Sequence, residues 1–118
     1  MNKKNLIQEK SLALGVRIIN FYKYLCKEKH EYILAKQILR CGTSIGANIC
    51  ESRNAQSVAD FISKLSIALK EADETQYWLE LLWGANVISE QQFTTLDGDV
   101  RELIALLTSI LKTLKKKK

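Results

Sequence analysis

The stretch FTTLDGDVRELIALLTSILKTL, residues 93–114, decides the fold. Phe93, Leu96, Val100, Leu103, Leu107, Ile110 and Leu114 step by three and four in alternation, which draws one apolar seam along a helix. Its start is marked twice: Ser89 and Gln92 have capping-box spacing, and Ile88 and Phe93 occupy the positions of a hydrophobic staple. Asp97-Gly98-Asp99 interrupts the seam locally, and because the register continues across it, it reads as a weak point and not a break. A seam this long needs other helices to cover it.

Working outward, the preceding helix is expected from about Ser57, as N-cap, to Ala85, with Gly84 near its end. Phe61, Leu65, Ala68, Ala72, Leu79 and Leu82 form one stripe. At about 100° per residue, Ile67, Trp78 and Leu81 fall on nearly the opposite side. A helix in a monomeric bundle needs one apolar face, so this second face reads as a subunit interface. The second helix, roughly Glu31 to Asn54, has Leu34, Ile38, Cys41, Ile45 and Ile49 on its core side. Gly42 and Gly46 each cost about 1 kcal/mol against alanine in a helix interior, which implies close approach of another backbone. A polar stripe runs alongside: Gln37, Arg40, Ser44, Asn48 and Glu51. Asp60, Lys64, Glu71 and Glu74 make a comparable stripe on the third helix, so Arg40 is expected to pair with Glu71 or Glu74 between helices. The first helix covers about Gln8 to Lys29, with Leu14, Ile18, Phe21 and Leu25 as its seam and Leu12, Val16 and Ile19 widening it. Four long helices with short links give an all-α, antiparallel up-and-down four-helix bundle, a single domain over 1–118 with a basic flexible tail from about 113.

Composition agrees. Zero prolines and five glycines in 118 residues argue against a turn-rich sandwich or barrel, and 47% hydrophobic residues is too apolar for a disordered chain. The formal charge of +5 is a difference between blocks: +6 over residues 1–50, −6 over 51–102, and +5 over 103–118. Such a chain can neutralise itself through its own helices or neighbouring subunits, leaving a basic end. Lys3, Lys4, Lys10, Lys112, Lys115, Lys116, Lys117 and Lys118 are the candidate contacts for RNA or DNA, binding phosphate without reading sequence.

Chemistry is sparse. Cys26, Cys41 and Cys50 have no metal-ligand spacing, and nine residues put Cys41 and Cys50 on opposite faces of one helix, so reduced thiols in a cytoplasmic protein are expected. One histidine, His30, cannot supply the paired Glu-x-x-His motifs of a di-iron bundle. No phosphate loop, signal core or membrane span is legible, and no cofactor, metal or small-molecule substrate is implied. Glu71 and Glu74, one turn apart, are the nearest thing to an acid/base pair, and arginine pairing accounts for them better. The chain reads as a non-enzyme.

The stretches KQILR (36–40), TSIGANI (43–49) with Glu51, AQS (55–57), ADF (59–61), KLSIALKEA (64–72), Glu74-Thr75 and YWL (77–79) resemble the signature of the bacterial four-helix-bundle family. Some of its members are encoded within intervening sequences of 23S rRNA genes, and family names that mention ribosomal proteins describe that gene location and not membership of the ribosome. The resemblance covers about residues 11–85, with the last helix similar by pattern, and its polar signature maps to Arg40, Ser44, Asn48 and Glu51. It implies an antiparallel four-helix bundle that assembles as a homopentamer, without known enzymatic activity. It also implies kinship with accessory proteins of diversity-generating retroelements, which bind nucleic acid through a basic pentamer. Many members carry proline where this chain has Gly46, and glycine where it has Ser52.

Overall fold

The computed structural model describes the backbone of residues 3–116 and the side chains of residues 5–116. Four helices follow one another: α1 (Lys3–Glu28), α2 (Ile33–Ser52), α3 (Val58–Gly84) and α4 (Glu90–Lys116). No strand occurs among the described residues. The links, residues 29–32, 53–57 and 85–89, are short, so each helix returns antiparallel to the last. α1 packs on α2 and α4, and α3 packs on the same two, while the diagonal pairs stay apart. The cross-section is therefore square, and the bundle measures 47 × 23 × 22 Å. No helix among the described residues is long and apolar enough to cross a membrane.

Each helix contributes its seam to one core. Ile18, Leu25, Ile38, Ile45, Leu65, Leu79, Val100 and Leu107 are fully buried, and burying each such side chain stabilises the fold by about 1.5–3 kcal/mol. α1 begins earlier than its sequence pattern shows because Ile7, one heptad before Leu14, is also buried. α2 is shorter than expected at both ends. Where the bundle closes tightly, the two glycines of α2 face α1. A Cβ on Gly46 would lie 3.4 Å from the backbone oxygen of Ser11, and one on Gly42 would lie 2.9 Å from Cγ1 and Cγ2 of Ile18.

The helix ends follow local chemistry. The Ser57 hydroxyl accepts the Asp60 N–H at 3.0 Å and starts α3. Ser89 and Gln92 exchange reciprocal bonds of 2.8 and 3.1 Å, a complete capping box ahead of α4. α3 ends in a Schellman turn: Val87 N–H bonds to the Leu82 carbonyl at 2.9 Å and Asn86 N–H to that of Trp83 at 3.0 Å. Asn86, at φ 61°, takes the left-handed position, and Gly84 keeps an ordinary helical φ. His30 does the same after α1, at φ 53°. At the far end, α4 stays helical through Lys116, so residues 113–116 form its last turn and not a tail.

Two expectations change here. Asp97-Gly98-Asp99 is not a weak point of α4. The nearly buried Asp97 carboxylate accepts Gln76 Nε2 of α3 at 2.9 Å and pairs with Arg101 at 2.8 Å, while Asp99 pairs with Arg17 of α1. Helix α4 is thus tied to both neighbours within three residues. Second, Leu12, Val16 and Ile19 do not widen the core seam of α1, because all three are exposed.

Candidate functional site

On the side of the bundle shared by α2 and α3, helical register lines up polar groups from both helices. Arg40 reaches across and pairs with Glu71 at 3.5 Å and with Glu74, and its guanidinium also donates to Gln37 Oε1 at 3.4 Å. Glu74 additionally accepts the indole N–H of Trp78 at 3.0 Å. About three turns further along α2, Glu51 pairs with Lys64 at 3.0 Å, and that bond raises the Lys64 pKa above its ordinary value. Ser44 and Asn48 turn inward on their own helix: Ser44 Oγ donates to the Arg40 carbonyl at 2.8 Å, and Asn48 Nδ2 to the Ser44 carbonyl at 2.8 Å. The polar stripe therefore stitches α2 to α3 through Arg40 and Glu51, while its middle is occupied locally. Behind it, Thr75 Oγ1 lies 3.2 Å from Cys41 Sγ, and burial pushes the Cys41 thiol pKa up. Cys26, Cys41 and Cys50 are all free, and no group of His, Cys, Asp and Glu among the described residues is arranged to hold a metal.

The second apolar face of α3 is narrower than its wheel implies. Ile67 and Leu81 are 40% and 38% exposed, as a surface seam requires. Trp78 offers less surface than either: the ring is half-buried against the core, with its N–H donating to Glu74.

A larger apolar surface lies on the neighbouring side, between α1 and α2. Leu12, Val16 and Ile19 are 72%, 53% and 41% exposed and form a ridge along α1. Beside it runs a groove of about 580 Å³ floored by Gly15, Thr43, Gly46, Ala47 and Cys50. Small residues leave the groove open: an added Cβ would meet nothing within 4 Å at Gly15 and only an ordinary 3.4 Å contact at Gly46. The signal was present in the sequence: seven apolar positions spread over more than half the circumference of one helix exceed what a bundle core takes from it.

The basic residues are dispersed by the fold. Lys10 pairs with Glu102 of α4 at 3.0 Å. Lys112, Lys115 and Lys116 are exposed on the last turns of α4, where positive charge complements the helix dipole. The side chains of Lys3 and Lys4, and the whole of Lys117 and Lys118, lie outside the described residues.

An all-α bundle with a square core and an ion-paired α2–α3 flank belongs to the class of antiparallel four-helix bundles. Comparison with known proteins makes this particular. The family model for the 23S rRNA-intervening sequence protein matches residues 3–109, and the chain belongs to that family. A solved structure is closely similar: a protein with unknown function from the S23 ribosomal protein family of Bacteroides thetaiotaomicron VPI-5482. The two are 54% identical, the match covers 94% of this chain and 99% of that one, and the TM-score is 0.93. Among curated proteins no match was found.

Proposed function

We propose that the chain is a non-enzymatic subunit of a cytoplasmic homo-oligomer, a pentamer by resemblance to its family, that serves as an interaction scaffold. The observation that carries this reading is the exposed ridge of Leu12, Val16 and Ile19 beside its groove, on a bundle whose own core is already complete. Exposed apolar surface of this extent is costly in water unless a partner covers it. The carboxylates that resembled an acid/base pair support the non-enzymatic part, since Glu71 and Glu74 are both engaged by Arg40. Sedimentation velocity at micromolar concentration tests the reading. A species several times the 13.5 kDa chain mass is expected, and a monomer contradicts it.

A second reading, binding of RNA or DNA, rests on the placement of Lys112, Lys115 and Lys116 at the end of the bundle where α1 begins. Binding through them is electrostatic, so affinity must fall steeply with salt and fall again when the lysines from Lys112 onward are replaced by glutamine. Filter binding over a salt series measures both. Affinity that ignores salt removes the reading.

A further inference from the structure

We draw no further inference here: the strongest candidate, the exposed Leu12–Val16–Ile19 ridge of α1 beside the α1–α2 groove, already carries the oligomer reading, and nothing in the structure shows which surface covers it.

Discussion

Gly42 and Gly46 both face α1, yet a methyl group added at each meets different surroundings. At Gly42 it collides with the branched Cγ atoms of a buried isoleucine, which cannot swing away. Overpacking of about 1–3 kcal/mol then outweighs the helix-propensity gain of about 1 kcal/mol, so Gly42→Ala is expected to lower stability. At Gly46 the contact is ordinary van der Waals distance, and Gly46→Ala is expected to be neutral or to stabilise by up to about 1 kcal/mol. Urea unfolding of the two variants measures the difference, and equal effects would count against the close approach at Gly42. Asp97→Ala removes the acceptor for Gln76 and should cost about 1–3 kcal/mol, unusual for an aspartate in a helix. The glycine penalty was legible from sequence, because only tight packing offsets it. The role of Asp97 was not: heptad position places it beside the seam, and its partner Gln76 sits on another helix with no periodicity of its own.

Among the elements, α4 carries the plainest message, since seam and cap agree on one register from Ser89 onward. Ser89→Ala opens the capping box and is expected to cost about 1 kcal/mol by thermal or urea unfolding. The α2–α3 ion pairs invite a different expectation. Arg40 is half-exposed, so solvent screens its pairs, and Arg40→Ala should cost no more than about 1 kcal/mol. Added salt should shrink that difference further, and a salt-independent loss would mean that packing of the side-chain stem dominates. Helix existence and order were readable because apolar periodicity is a property of one chain segment at a time. What α1 does with its second set of apolar residues was not, because Leu12 and Leu14 look alike until a neighbour is placed beside one of them.

At the scale of the whole molecule, the charge of +5 resolves into spatial parts. Arg40, Arg17, Lys10 and Lys64 are engaged by acids of other helices, so much of the block asymmetry is consumed inside the bundle. What remains without an ion pair among the described residues is of mixed sign on each face: Lys23 and Lys27 beside Glu9 and Glu28 on α1, and Lys70 beside Asp73 and Glu80 on α3. Assembly should also protect thiols unequally. Cys41 is buried, with its pKa raised by that burial, and should react with alkylating reagents only on unfolding. Cys50 lies in the α1–α2 groove and is exposed in the isolated chain, so it should label faster in the dissociated Leu12→Asp variant than in the assembled protein. Equal labelling rates would leave the groove open in the oligomer. The most direct measurement of the central claim is native mass spectrometry of the wild-type chain, which counts copies. A discrete closed assembly, five times 13.5 kDa, is the predicted result, and a spectrum holding the 13.5 kDa species alone would contradict the account.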